Sequence, residues 1–105
     1  MRTDAIKAVG IDEQGALWVK PATASFPYIY REAMSVRWDA QKACLFGSKP
    51  REFPDLDLSR PGWFRQIIAA AREQGVELVV VETTEWSNID PGLQEEIRTA
   101  ATNAP

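Results

Sequence analysis

The sequence predicts an α+β domain whose four- or five-stranded, mainly antiparallel sheet has the order β-β-β-β-α-β-α, with two helices packed on one face. Three observations support this prediction. Residues 59–86 have the pattern of a helix followed by a buried strand, the first half of the chain has the patterns of β-hairpins, and a second helical pattern begins at Asp90. We expect residues 1–105 to form a single domain, because a chain of this length can bury a core without disulfides or metals.

The helix within residues 59–86 is predicted from its spacing and its ends. Four apolar residues recur at the spacing of one helix face: Phe64, Ile67, Ile68 and Ala71. Ser59 is the expected N-cap, because its hydroxyl can accept a hydrogen bond from an N–H group of the first turn. Pro61 fits that turn, where a missing N–H costs nothing. Gly75 can adopt the left-handed conformation that ends a helix.

The strand that follows is predicted from the run Leu78–Val81, which has no polar alternation. A continuous run rich in β-branched residues indicates a strand that is covered on both faces or is central in its sheet. If this strand and Ala43–Phe46 are neighbours joined through the helix, their pairing is parallel and the crossover is right-handed.

The first half of the chain predicts an antiparallel meander. Residues 5–11 and 16–20 form the clearest hairpin, with Leu17 and Val19 on one face and Trp18 on the other. Gly15 supplies the positive φ that its turn needs.

A second hairpin is predicted between residues 34 and 46. Met34, Val36 and Trp38 alternate with polar residues, which is the period of a strand with one buried face. Residues 39–42 form its turn and residues 43–46 its return strand.

Two connections have no regular pattern. Residues 28–30 could extend as a strand or form a bridging segment. Residues 48–58 form a long, proline-punctuated connection, and loops of this length inside compact domains are often functional. The loop could equally well only span the sheet to reach the helix, and both interpretations stay open.

A last helix is expected from Asp90-Pro91 onward, since the aspartate can cap it and the proline fits its first turn. Leu93, Ile97 and Ala100 give this helix a narrow apolar stripe.

Composition excludes several kinds of site. The chain has no histidine, which removes the commonest general base and zinc ligand, and its single cysteine, Cys44, allows no internal disulfide. No phosphate-binding glycine loop or nucleophile elbow is present. We therefore expect no catalytic residues, no cofactor and no metal.

The apolar runs are too short to span a membrane and the N-terminus lacks a signal-peptide core, so we expect no membrane association and a cytoplasmic location.

Charge is distributed unevenly along the chain. The net charge is −3 and there is no basic stripe, so we expect no nucleic-acid partner. Residues 1–72 contain 11 basic and 8 acidic residues, whereas residues 73–105 contain 1 and 7. The acidic last third is either a solvated surface or a face that steers toward a basic protein partner.

One candidate binding site is the end of the predicted strand, because ligands often lie beyond the carboxyl ends of strands that helices connect. Its candidate residues are Glu82, Thr84, Glu85 and Trp86. The alternative interpretation is an exposed strand end with no ligand.

Aromatic residues supply a second set of candidates. Tryptophan and tyrosine give binding surfaces a large contact area at low entropy cost, although they also fill cores. The candidates are Tyr28, Tyr30, Arg37 and Trp38.

The sequence therefore favours a non-catalytic interaction or regulatory module that self-associates as a homodimer. Small sheet proteins must protect their edge strands, and pairing across a two-fold axis is one way to do so. The alternative is a small enzyme or small-molecule-binding protein with a carboxylate and aromatic pocket near the end of the strand 78–86.

Overall fold

The computed structural model describes residues 2–33, 36–47 and 59–102, and its α+β architecture agrees with the sequence prediction. The predicted loop 48–58 and Met34 lie outside the described residues. In chain order the elements are β1 (Arg2–Ile11), β2 (Leu17–Pro21), a 3-10 helix (Ile29–Arg31), β3 (Val36–Asp39), β4 (Cys44–Gly47), α1 (Arg60–Glu73), β5 (Val76–Val79), β6 (Glu85–Ser87) and α2 (Pro91–Thr102).

The strands form one mainly antiparallel sheet with the order β3-β4-β2-β1-β5, and β6 also pairs with β1. The hairpins β1–β2 and β3–β4 are antiparallel, as predicted. The predicted meander is wrong, because β2 pairs antiparallel with β4 and not with β3, its neighbour in the chain. The pairs β1–β5 and β1–β6 are parallel. Strand β3 therefore lies at one edge of the sheet, and β5 and β6 share the other.

The strand predicted over Leu78–Val81 differs from the one observed. Strand β5 ends at Val79, and its buried positions alternate with half-buried ones, so it is not covered equally on both faces. It pairs with β1 rather than with the strand at residues 43–46. The valine run favours extended backbone, but it cannot show that the chain turns after Val79 and re-enters the sheet as β6.

A β-bulge in β1 explains why two short strands share that edge. The register between β1 and β2 shifts between Ile6 and Ala8, so β5 pairs with β1 before the bulge and β6 pairs with it afterward. Thr84 lies in the connection between them, is buried, and donates a hydrogen bond of 2.7 Å from Oγ1 to the Ile6 carbonyl. Its Oγ1 also accepts from the Val81 N–H at 2.9 Å. Thr84 thus holds the β5–β6 connection to the bulge.

Both helices pack on the same face of the sheet. The hydroxyl of Ser59 accepts from the Gly62 N–H at 3.1 Å, and Gly75 has φ +84°, so both ends of α1 follow the sequence prediction. The α1 face predicted to be buried is buried, and α2 adds Ile97 and Ala100. The core contains residues from both layers, including Ile6, Val9, Leu17, Val19, Leu45, Phe64, Ile67 and Ile97.

The first hairpin also follows its prediction. Leu17 and Val19 are buried on the helix side, Trp18 lies on the opposite face, and Gly15 has φ +85°. Residues 29–31 form a 3-10 helix rather than a strand. None of the helices in the described ranges is long and apolar enough to cross a membrane.

Candidate functional site

The face of the sheet opposite the helices, here called the outer face, contains a band of aromatic side chains. Trp18 of β2 is the register partner of Phe46 of β4, and Phe46 in turn pairs with Arg37 of β3. Because cross-strand partners project from the same face of a sheet, these three side chains form one row.

The row continues onto β1 at a glycine. Gly10 is the register partner of Trp18, and a Cβ at position 10 would lie 2.3 Å from Cζ2 of Trp18. The indole ring therefore occupies the space that a side chain on β1 would need. The absence of a side chain at Gly10 lets Trp18 lie flat against the sheet.

A pocket of about 320 Å³ opens on this face. It is lined by Asp12, Trp18, Lys20, Asp39, Lys42, Cys44 and Phe46. The pocket lies across the two hairpins, whereas the sequence predicted a pocket near the end of the strand 78–86. Among the lining residues, none belongs to the set singled out from the sequence as binding candidates.

Cys44 lies in the pocket lining and is buried. Burial raises the pKa of its thiol, and the nearby Asp39 raises it further, whereas Lys42 and Lys20 act in the opposite direction. A thiol with a raised pKa stays protonated and is a poor nucleophile. Cys44 therefore contributes apolar surface to the pocket.

The charged residues of the pocket are held by the turns of the hairpins. Asp12 Oδ1 accepts from the N–H groups of Gln14 and Ala16, both at 2.9 Å. Asp39 Oδ1 accepts from the N–H groups of Gln41 and Lys42, both at 3.0 Å. Each carboxylate thus fixes its turn through one oxygen, Oδ1.

The predicted candidates Tyr28 and Tyr30 form an exposed aromatic cluster on the 3-10 helix, with exposed fractions of 53% and 55%. Their ring centroids are 6.5 Å apart, and the Arg31 guanidinium lies 4.8 Å from the Tyr28 centroid and 5.9 Å from that of Tyr30. The buried Ile29 anchors this helix to the core. The cluster presents a positioned aromatic surface to solvent.

The other aromatic candidates lie on the neighbouring edge strand. Arg37 is exposed on β3, and Trp38 is half-buried, with its ring centroid 5.9 Å from that of Phe26. The 3-10 helix contacts β3. The candidates therefore lie on two elements in contact, but Arg37 projects from the outer face and Trp38 from the helix side, where its register partner is the buried Leu45.

The candidates from the strand end lie at the opposite edge of the sheet. Glu82 and Glu85 are exposed, but Thr84 is buried and its hydroxyl is used by backbone groups. Trp86 is half-buried on β6, and its indole ring is 5.6 Å from the Arg98 guanidinium. These four residues are not brought together with the aromatic candidates.

The acidic residues of the last third are divided among several surfaces. Glu77 forms a two-pronged ion pair with Arg72, and this hydrogen bonding lowers the pKa of the Glu77 carboxyl. Glu85 lies at the β6 edge, whereas Glu95 and Glu96 are exposed on α2. A basic partner for these residues stays a prediction.

Within residues 2–33, 36–47 and 59–102, no group of three or more histidine, cysteine, aspartate or glutamate residues could hold a metal ion.

Comparisons with known proteins give one family. A family profile described as Integron Cassette Protein Hfx_Cass5 matches residues 4–84. A solved structure titled "Structure from the mobile metagenome of North West Arm Sewage Outfall: Integron Cassette Protein Hfx_Cass5" is 40% identical, with 97% of this chain and 98% of that chain covered and a TM-score of 0.45. No curated protein matches this chain.

Proposed function

This chain belongs to the family of the integron cassette protein Hfx_Cass5, and we propose that it is a non-catalytic interaction module that self-associates as a homodimer through strand β3. The observation that supports this proposal is an open sheet edge with its own charge pattern. The proposal commits to one partner, a second copy of this chain, paired antiparallel across a two-fold axis.

The edge of β3 has backbone groups available for another strand. Within the described ranges, no strand pairs with β3 on the side away from β4. The Val36 N–H donates to the Ala33 carbonyl, so Val36 directs its backbone away from β4. Backbone direction alternates along an antiparallel strand, so Trp38 also directs its N–H and C=O outward. The Val36 N–H is already used by Ala33, so the outward N–H and C=O groups of Trp38 are the template for pairing with a second strand.

Side-chain charge favours one register for that pairing. A two-fold axis at Trp38 sets Arg37 opposite Asp39 of the partner subunit, on the same face of the joined sheet. By symmetry it also sets Asp39 opposite Arg37 of the partner subunit. The two adjacent two-fold registers would instead set Arg37 against a second Arg37, or Asp39 against a second Asp39. Opposite charges across strands stabilise pairing and like charges destabilise it, so the pattern favours the register centred on Trp38.

The exposed aromatic cluster supports the same surface. Tyr28, Tyr30 and Arg31 are of the residue types that contribute most at protein interfaces, and their helix contacts β3. A partner strand beside β3 would lie next to these side chains. Covering them would remove exposed aromatic area from water, which adds to the stability of the dimer.

Sedimentation velocity over a range of micromolar concentrations tests the proposal. We expect a species near twice the chain mass of 11.8 kDa. Arg37→Glu replaces two attractive cross-strand pairs with two repulsive ones. We expect it to weaken the dimer by roughly tenfold or more, since each such pair is worth up to about 1 kcal/mol.

The matched control is Lys7→Glu. Lys7 is exposed at the bulge of β1, three strands away from β3, and the variant makes the same change of charge. The dimer should persist in this variant. A wild-type chain that stays monomeric throughout, or equal weakening by both variants, would refute pairing through β3.

A further inference from the structure

We infer that the outer-face pocket binds a small zwitterion with a flat apolar body, such as an aromatic amino acid. This inference goes beyond the proposed dimer, with which it shares Asp39. It rests on the shape of the pocket, its aromatic lining, and the balance of charges around it.

The apolar part of the pocket suits a planar group. Trp18 lies flat over Gly10, and Phe46 is its cross-strand neighbour. An aromatic ring placed on these two can stack in offset or edge-on geometry, which adds to the gain from burial. The volume of about 320 Å³ falls at the small end of the range for ligand sites, so it suits a molecule of single amino-acid size.

The polar part of the pocket contains two charges of each sign. Lys20 and Lys42 supply ammonium groups, and Asp12 and Asp39 supply carboxylates. In the part of the chain that the structure describes, neither lysine forms an ion pair with either aspartate. Charged groups that line one pocket without pairing to each other are available to a ligand.

This arrangement favours a zwitterion over a simple anion or cation. A ligand carboxylate can accept hydrogen bonds from the lysines while a ligand ammonium donates to the aspartate oxygens. An anion alone would approach two carboxylates, and a cation alone would approach two ammonium groups. Like charges disfavour both, so affinity should depend on the ligand having both groups.

Calorimetric titration and NMR with four probes test this inference. L-Phenylalanine has the ring and both charges, 3-phenylpropionate lacks the ammonium group, phenethylamine lacks the carboxylate, and L-alanine lacks the ring. We expect L-phenylalanine to bind at least about tenfold more tightly than each of the others. It should also shift the indole N–H signal of Trp18, which is assigned by its loss in Trp18→Phe.

Two variants separate the charges, and both lie away from β3. Lys20→Met should weaken L-phenylalanine and 3-phenylpropionate but not phenethylamine. Asp12→Asn should weaken L-phenylalanine and phenethylamine but not 3-phenylpropionate, because asparagine keeps the oxygen that accepts from the turn. Lys7→Met, which removes an exposed lysine outside the pocket, should leave all four probes unchanged.

Alkylation of Cys44 gives a second measurement. Iodoacetamide should react slowly with this buried thiol, and L-phenylalanine should slow the reaction further while L-alanine should not. The inference is overturned if no probe binds at millimolar concentration. It is also overturned if either single-charge probe binds as tightly as L-phenylalanine, or if Lys7→Met weakens binding as much as Lys20→Met. Lys20→Met and Asp12→Asn leave β3 unchanged, so the result of this test is separable from that of the dimer test.

Discussion

The indole ring of Trp18 lies against the backbone of Gly10, so close that a Cβ at position 10 would stand 2.3 Å from Cζ2 of Trp18. Gly10 and Trp18 are register partners on adjacent strands. Heavy atoms cannot approach so closely, so one of the two must move if glycine is replaced. The flat aromatic surface of the outer face therefore depends on a missing side chain.

Gly10→Ala should destabilise the fold by roughly 1–3 kcal/mol, because it forces Trp18 out of its position. Urea denaturation measures this loss. The same substitution in a Trp18→Ala background should cost much less, since the ring it would displace is absent. An equal cost in both backgrounds would contradict the assignment of the loss to this contact.

Thr84→Val should destabilise the protein by roughly 1–3 kcal/mol, because it leaves the Ile6 carbonyl and the Val81 N–H without their partner. Valine has almost the same shape, so the change removes mainly the hydroxyl. Thr83→Val is the control, since Thr83 is exposed and should change stability by no more than about 0.5 kcal/mol. A larger loss of stability in Thr83→Val than in Thr84→Val, measured by denaturation, would contradict this role.

The arrangement of β5 and β6 at one edge of the sheet could not be predicted from the sequence. The first hairpin and both helices have local signals, such as the turn at Gly15 and the cap at Ser59, so they could be predicted. The bulge between Ile6 and Ala8 and the return of β6 depend on a hydrogen bond between Thr84 and Ile6, which are 78 residues apart. The hydrophobic pattern of a short segment cannot predict a contact between residues so far apart in the chain.

The candidate sites show the same division. Exposed aromatics at Tyr28 and Tyr30 could be chosen by residue type alone, but the contact of the 3-10 helix with β3 could not. The pocket was missed because its lysines and aspartates look like ordinary surface charges. Alternation along a strand places Trp18 and Lys20 on one face of β2, and Cys44 and Phe46 on one face of β4. Only the pairing of β2 with β4 brings the two strands together.

Ile68→Ala should cost roughly 2–5 kcal/mol, because the side chain is buried in the core between α1 and the sheet. Glu73→Ala, at an exposed position of the same helix, should be close to neutral. A denaturant titration compares the two variants. Equal losses would mean that the buried face of α1 has been misassigned.

Asp4 should make stability depend on pH in the acid range. Burial alone would raise its pKa, but hydrogen bonds from the N–H groups of Ala24 and Thr23 and from the Thr23 hydroxyl hold the pKa below its ordinary value. A carboxyl with a depressed folded-state pKa stabilises the fold above its unfolded pKa of about 3.9. That contribution is lost as the pH falls through the lower, folded-state value.

The variant Asp4→Asn checks this pH dependence. At neutral pH it should be less stable than the wild type by roughly 1–3 kcal/mol, because an amide cannot accept all three hydrogen bonds. Below about pH 4 the difference should shrink, since Asp4 of the wild type then takes up a proton in the unfolded chain, and at still lower pH in the folded one. Glu13→Gln, at an exposed turn position, is the control. If the difference in unfolding free energy between Asp4→Asn and the wild type stays constant from neutral to acid pH, Asp4 does not cause the pH dependence.

The most direct measurement of pairing through β3 is a mixing experiment with two charge-reversed variants. Arg37→Glu and Asp39→Lys should each be mainly monomeric, because each sets like charges opposite one another across the two-fold axis. Circular dichroism must first show that both are folded, since Asp39 also fixes the turn at Gln41 and Lys42. Mixed in equal amounts, they restore opposite charges at both cross-strand positions. Native mass spectrometry should then detect a dimer with one chain of each kind. Two folded variants that remain monomeric in the mixture, or an Arg37→Glu chain that dimerises as tightly as the wild type, would contradict the account.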